Sequence, residues 1–191
     1  MTNYNKIFDV AVENHGLITS EQAKKLGIPL GRLADLAHRG RLSHLGHGVY
    51  QLVQYRPAEN DTYAQAVALV GHGAYLYGES VIALLGLAPT NPDHIYVAAY
   101  GRVRRNSCRG ISIAKADAED SPEPIDGILA QSVCRALLSA RRTMPQSNIR
   151  IAADEALRIG RITEEEREAV ENELIACIDA AANKVQFPIE Q

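Results

Sequence analysis

Residues 15–52 read HGLITSEQAKKLGIPLGRLADLAHRGRLSHLGHGVYQL. Thr19 stands where a hydroxyl can cap a helix, and Gln22 follows three residues later, as a capping box requires. Ile18 and Ala23 flank the cap as a hydrophobic staple. Gly27 supplies the left-handed residue that stops the helix about two turns on. So short a helix is not stable alone and must pack on neighbours. Ile28-Pro29 then redirects the chain, and Leu30 to Arg39 form the next helix. At 100° per residue, Leu30, Leu33, Ala34 and Ala37 share one face, with Arg32, Asp35 and Arg39 on the other.

After Gly40 the period changes. Leu42 and Leu45 precede a Gly46-His47-Gly48 turn, and Val49, Tyr50 and Leu52 follow it, which reads as a β-hairpin. Upstream, Asn3 to Asn14 place Ile7, Val10 and Ala11 at helical spacing, ended by His15-Gly16. Three helices followed by a hairpin make a winged helix-turn-helix. In that arrangement the third helix packs one side on its neighbours and turns the other toward phosphates and base edges. Such folds also serve as protein-interaction modules, so periodicity alone leaves both uses open.

Charge separates this segment from the rest. Residues 1–58 hold seven Lys/Arg against four Asp/Glu, a net +3, while the remainder holds 13 against 19, a net −6. His15, His38, His44 and His47 also lie in the front part. A modestly basic front and an acidic back point to two tasks. The division expected is residues 1–56 as a DNA-binding domain and 57–191 as an α+β partner-binding domain.

The same 38-residue stretch resembles the N-terminal domain of the AbiEi family, the antitoxins of AbiE-type (type IV) toxin–antitoxin systems. The resemblance is carried by Gly16-Leu17-Ile18-Thr19, Ala23 with Leu26-Gly27-Ile28, the Leu33/Leu36 pair, Arg39-Gly40-Arg41-Leu42 and Gly48-Val49-Tyr50. One departure is Pro29-Leu30, where similar sequences often place a Ser or Thr cap. A proline suits the first helical turn, but a hydroxyl contact to phosphate is lost. The resemblance implies a repressor that binds inverted repeats in its own operator and neutralises a cognate nucleotidyltransferase-like toxin through the part beyond residue 58. The candidate DNA-binding residues are Ser20, Lys24, Gly31, Arg32, Asp35, Arg39, Arg41, His44 and His47. A stand-alone regulator without a toxin, or a protein-interaction module, are the alternatives.

Beyond Gln54–Asn60, a polar link, Thr62 to Val70 is helical, with Tyr63, Ala66, Val67 and Val70 on one face. Residues 74–87 read as a short strand or turn followed by a buried helix ended by Gly86. There Glu79, Ser80, Leu84, Gly86 and Leu87 resemble a second block of the same family and fit core packing better than catalysis. Residues 94–100 and 110–115 are strands by β-branched and aromatic content. Between them lie Arg102, Arg104, Arg105 and Arg109, the densest positive cluster in the chain. It is either a solvated hairpin loop or a contact surface for an acidic partner, an RNA or the DNA backbone. Residues 117–124 read as an acidic loop, followed by helices from about Leu129 to Arg142, from about Ile149 to Ile159, and from Thr163, whose Thr-Glu-Glu-Glu is a second capping box. Val170, Leu174, Cys177, Ile178 and Ala181 give the last helix its apolar stripe. Its acidic outer face repels phosphate and suits a protein partner.

The sequence lacks a phosphate-binding Gly-rich loop, a dinucleotide fingerprint and a nucleophile elbow. His44-x-x-His47 has no nearby carboxylate or thiol to complete a metal site. Cys108, Cys134 and Cys177 are three and widely spaced, which argues against disulfides or a zinc knuckle. After the strand at Ile95 there is no acid-x-Lys pattern of the kind a magnesium nuclease needs. These absences point away from an enzyme and from any cofactor or metal. The front of the chain has no signal-peptide stretch and no run is long enough to span a bilayer, so a cytoplasmic location is expected.

Overall fold

The computed structural model describes residues 2–101, 103 and 109–183, and only the backbone of 177–183. The fold is α+β, a winged helix-turn-helix followed by a larger α/β region with C-terminal helices. Among the described residues no helix is long and apolar enough to cross a membrane.

The winged segment comprises α1 (Asn3–Val12), β1 (Leu17–Thr19), α2 (Ser20–Lys25), α3 (Leu30–His38), β2 (Leu42–Gly46) and β3 (Val49–Leu52). The capping box forms: the Thr19 N–H donates to Gln22 Oε1 at 2.8 Å and the Gln22 N–H to Thr19 Oγ1 at 3.2 Å. Gly27 takes φ +70° beyond the end of α2, and the Ile28 N–H reaches back to the Ala23 carbonyl at 2.9 Å. The staple residues Ile18 and Ala23 join Ile7, Ala11, Ile28, Leu33, Leu36, Leu42 and Leu52 in one buried cluster. The sequence reading lacked β1. It pairs antiparallel with β3, Leu17 opposite Gln51 and Thr19 opposite Val49, so the sheet has three strands in the order β1-β3-β2. A three-residue strand has too little period to declare itself, and its partner lies some thirty residues downstream.

Next come α4 (Asp61–Val70) and a five-stranded sheet of order β6-β5-β4-β8-β7, made from β4 (Tyr75–Leu76), β5 (Ile95–Ala99), β6 (Ile111–Lys115), β7 (Glu123–Ile125) and β8 (Ile128–Ala130). Two corrections arise here. β5 and β6 pair in parallel, so they are not the arms of a hairpin, as the arginine-rich connection was read. Residues 123–130, expected as loop and helix start, form the β7–β8 hairpin around Asp126-Gly127. Asp126 takes φ +50°, a conformation that Asp tolerates and that two-residue hairpins demand. Pro124 is accommodated because β7 is an edge strand.

The helices α5 (Glu79–Leu84), α6 (Val133–Ser139), α7 (Gln146–Arg158) and α8 (Glu164–Asn183) complete the chain, with a 3-10 turn at Ala140–Arg142 after α6. The helix expected from Leu129 therefore starts at Val133. The second capping box forms between Thr163 and Glu166. Val170 and Leu174 are buried as the stripe requires; the side chains of Cys177, Ile178 and Ala181 lie outside the described residues. Compactness divides the chain at other points than residue 56. One unit comprises residues 1–76 and 93–130, and the other residues 77–92 and 131–191. The first holds the winged segment, α4 and the five-stranded sheet. Among the described residues the second has helices and no strand, with a core of Ile82, Leu87, Leu137, Ile149, Ala152, Val170 and Leu174 among others.

Within the first unit a polar knot joins the end of α1 to α4 and to the β7–β8 turn. His15 Nδ1 lies 3.0 Å from Asp61 Oδ1, and its Nε2 lies 2.7 Å from the Asp126 carbonyl oxygen. The Tyr55 hydroxyl donates to the same Asp61 carboxylate, as does the Ala58 N–H. Burial, reinforced by Asp61, pushes the Tyr55 phenol above its ordinary pKa. Asp61 is buried, and these bonds are what makes burial of its carboxylate tolerable.

Candidate nucleic-acid interface

The outward line of α3 differs from the expected one. Leu33 and Leu36 are its buried residues, while Leu30 is 54 % exposed and Ala34 is also exposed. Ile28, buried in the preceding turn, fills that end of the core instead of Leu30. The helix is thus rotated, and Gly31, Ala34 and His38 form its most exposed line, with Asp35 at the edge. An added Cβ at Gly31 would meet nothing within 4 Å, so this first turn is bare backbone facing solvent. His38, which the sequence does not single out, is exposed on this line. The spacing of Gly31, Ala34 and His38 carries the signal, but only after the buried stripe is set at Leu33 and Leu36.

Arg32, Asp35 and Arg39 lie together on the flank of α3. Arg32 Nη1 donates to Asp35 Oδ2 at 2.7 Å, and Arg39 Nε donates to Asp35 Oδ1 at 3.1 Å. One carboxylate thus orients two guanidinium groups, and the trio keeps a net charge of +1. Such exposed pairs on one helix are weak, about 0.3–0.5 kcal/mol each, so an incoming phosphate can compete for the donors.

Lys24 is exposed in the last turn of α2. Ser20 opens α2, and its N–H donates to the Gly48 carbonyl at 2.7 Å. Gly48 takes φ +74°, which favours glycine, and a Cβ there would sit 2.6 Å from Ser20 Oγ, so the wing approaches α2 closely at this point. Ser20 is therefore engaged with the wing. The Arg41 guanidinium lies over the Tyr4 ring, 5.1 Å from its centroid, and keeps an exposed edge. His44 is exposed and packs on Tyr50 with ring centroids 4.8 Å apart. His47 is exposed at the wing turn with φ +35°. The helix-turn-helix and wing therefore bring Lys24, Arg32, Arg39, Arg41, His44 and His47 onto one small segment. Arg102, Arg104 and Arg105 lie outside the described residues; Arg109 is exposed just before β6.

Among the described residues no three His, Cys, Asp or Glu side chains gather as metal ligands. Glu79, in the family-like second block, is buried and accepts a hydrogen bond from the Thr90 hydroxyl. The Tyr75 hydroxyl donates to Asp120 Oδ2 at 2.7 Å, and burial drives its phenol far above the usual pKa. Burial likewise raises the Cys134 thiol, helped by the Glu166 carboxylate, which disfavours the nucleophilic thiolate. These groups are paired or protonated in ways that suit packing.

Three comparisons bear on this geometry. Residues 5–53 match the family described as "Transcriptional regulator, AbiEi antitoxin". No curated protein sequence matches the chain. Among solved structures, the crystal structure of the RV2827C protein from Mycobacterium tuberculosis is similar at 15 % identity with a TM-score of 0.51, over 89 % of this chain and 71 % of that one. That likeness concerns the fold. The resemblance expected over residues 15–52 therefore falls within the matched residues 5–53, and that winged helix-turn-helix segment is similar to the AbiEi transcriptional regulators.

Proposed function

We propose that the protein is a DNA-binding transcriptional repressor and the antitoxin of an AbiE-type pair, rather than an enzyme. The observation that carries this reading is the outward face of α3. Small residues at 31 and 34 let the helix backbone approach the floor of a major groove. In that pose Ala34 meets a thymine methyl or similar apolar edge, His38 and Asp35 reach base edges, and Arg32, Arg39 and Lys24 bond phosphates on either side. The wing carries Arg41, His44 and His47 to the neighbouring backbone. Operator half-sites arranged as inverted repeats require two copies on the DNA.

Neutralisation of a nucleotidyltransferase-like toxin is the second half of the proposal, and it falls to the region beyond residue 58. The acidic face of α8, with Glu164, Glu165 and Glu168 exposed, supports a protein partner there over a nucleic acid. Arg109 and the neighbouring Arg102, Arg104 and Arg105 are a further proposed contact. The experiment is co-expression of the chain with the product of the adjacent reading frame. Rescue of growth, lost on removal of α8 but kept in Arg32→Ala/Arg39→Ala, is the expected outcome. Absence of a toxic neighbour would reduce the role to a stand-alone regulator. Retained cellular effect with no DNA binding at all would favour an interaction module.

A further inference from the structure

A cleft of about 480 Å³ opens within the first unit, where the start of α2 and the wing turn face α4 and the β7–β8 hairpin. That volume lies inside the roughly 300–1,000 Å³ of small-molecule sites. Its walls differ in character. Val67, Ala68 and Ile128 give one side an apolar surface. At the rim, Glu21 Oε1 is 2.9 Å from Lys25 Nζ and Glu21 Oε2 is 3.0 Å from His72 Nδ1. Glu21 is the one acidic residue lining the cleft, and Lys25 and His72 are the basic groups held at it. An ammonium carries three donors, and the Glu21 contact uses one.

We propose that this cleft binds a small amphipathic anion, with its apolar body against Val67, Ala68 and Ile128 and its acidic head at Lys25 and His72. Lys25 keeps donors beyond its Glu21 contact at an exposed rim, and beside it Val67 and Ala68 are only partly buried. That combination recognises neither a sugar, for which the wall is too apolar, nor a cation, for which one carboxylate already held by two basic groups is a poor ligand. The Lys25 hydrogen bond, followed by desolvation in the opposite sense and His72, leaves the Glu21 pKa lowered, so this carboxylate stays charged and fixes both basic groups at the rim. Ser20 and Gly48, which tie α2 to the wing, line the same cleft, so an occupant touches the junction on which the wing rests.

The test uses the full chain and two dyes of one skeleton, anionic 1-anilinonaphthalene-8-sulfonate and uncharged N-phenyl-1-naphthylamine. Saturable one-site binding is expected, with the sulfonate at least about tenfold tighter. Amide shifts should centre on Gly48, Gly71, Gly73 and Gly127. Lys25→Glu should erase the preference for the sulfonate while leaving the neutral dye unchanged. Ala68→Trp should exclude both. Equal affinities for the two dyes would overturn the anionic assignment. Shifts centred elsewhere, or no saturable binding below about 1 mM, the weak end of specific affinity, would overturn the site. Should Ala68→Trp fail to fold, the exposed Lys25→Glu and the amide shifts decide alone. None of these readouts involves DNA, so the site and the repressor reading fail separately.

Discussion

The winged segment and the helical unit use their charges differently. In the helical unit, three arginines reach across to acids on another helix, while Arg158 pairs with Glu155 within α7. Arg150 Nε lies 2.9 Å from Glu171 Oε2, Arg167 Nη2 lies 2.9 Å from Asp154 Oδ1, and Arg141 Nη1 lies 3.2 Å from Glu173 Oε2. These pairs tie α7 and the 3-10 turn to α8, and each guanidinium is occupied by the fold. At the winged segment two histidine contacts join elements, His15 to Asp61 and His72 to Glu21, but the Lys and Arg pairs stay within single helices: Asp35 serves Arg32 and Arg39 on α3, and Glu21 serves Lys25 on α2. Pairs of that kind orient side chains without joining elements, and Lys24 beside them is exposed. A net charge count gives each region its sign, whereas the pairing pattern separates cations that hold the fold from cations available to a partner.

The largest effects that can break this comparison lie beneath the charges. Leu33 in the winged core and Leu137 in the helical core are both fully buried. Leu33→Ala and Leu137→Ala should each cost about 2–5 kcal/mol in urea unfolding. Leu33→Ala should also abolish DNA binding at temperatures where Leu137→Ala remains folded and binds. Equal loss of binding in both variants at matched folded fractions would remove the distinction between the regions.

Next come the charges themselves. Lys24→Ala with Arg39→Ala should weaken binding across sequences and lower the salt slope by about two, one for each phosphate contact. Arg167→Ala should leave both unchanged. Asp35→Asn should steepen the slope, because it frees two guanidinium groups. Fluorescence anisotropy at several salt concentrations measures all three, and a shallower slope in Asp35→Asn would mean that the carboxylate is needed to aim the arginines.

The capping boxes come third. Thr19→Ala and Thr163→Ala should each cost about 1 kcal/mol in denaturant unfolding. Both boxes were legible in the sequence because a cap is a four-residue motif whose partners are neighbours. What escaped the reading depends on distant partners. β1 exists because β3 offers it hydrogen bonds, and Pro124 in β7 reads as loop until the strand is seen to lie at the sheet edge. The Asp126-Gly127 turn was a signal that the surrounding acids and prolines masked. The site was legible as a segment but not as a face. The wheel of α3 accepts Leu30 or Leu36 as its apolar member, and only the placement of Ile28 decides for Leu36. That choice moves His38 to the outside and Arg32 and Arg39 to the flank.

The smallest effect is in pH. The Arg150 hydrogen bond holds the Glu171 carboxyl below its ordinary value of 4.5. A depressed carboxylate stabilises the fold above its unfolded pKa, and that contribution is lost as pH falls through the lowered value. The melting temperature should therefore fall with acidification below about pH 4.5, and less steeply in Arg150→Gln. An identical slope in both proteins would show that this pair does not couple α7 to α8.

The central claim is that α3 presents its Gly31–Ala34–His38 line to DNA. Its most direct test is anisotropy titration of duplex DNA from upstream of the chain's own gene against a scrambled duplex, for the natural protein and for Ala34→Glu. The account predicts selectivity of roughly 10³-fold or more at physiological salt, affinity that falls steeply with added salt, and loss of that selectivity in Ala34→Glu with the fold intact. Equal binding to both duplexes, or full selectivity in folded Ala34→Glu, would contradict it.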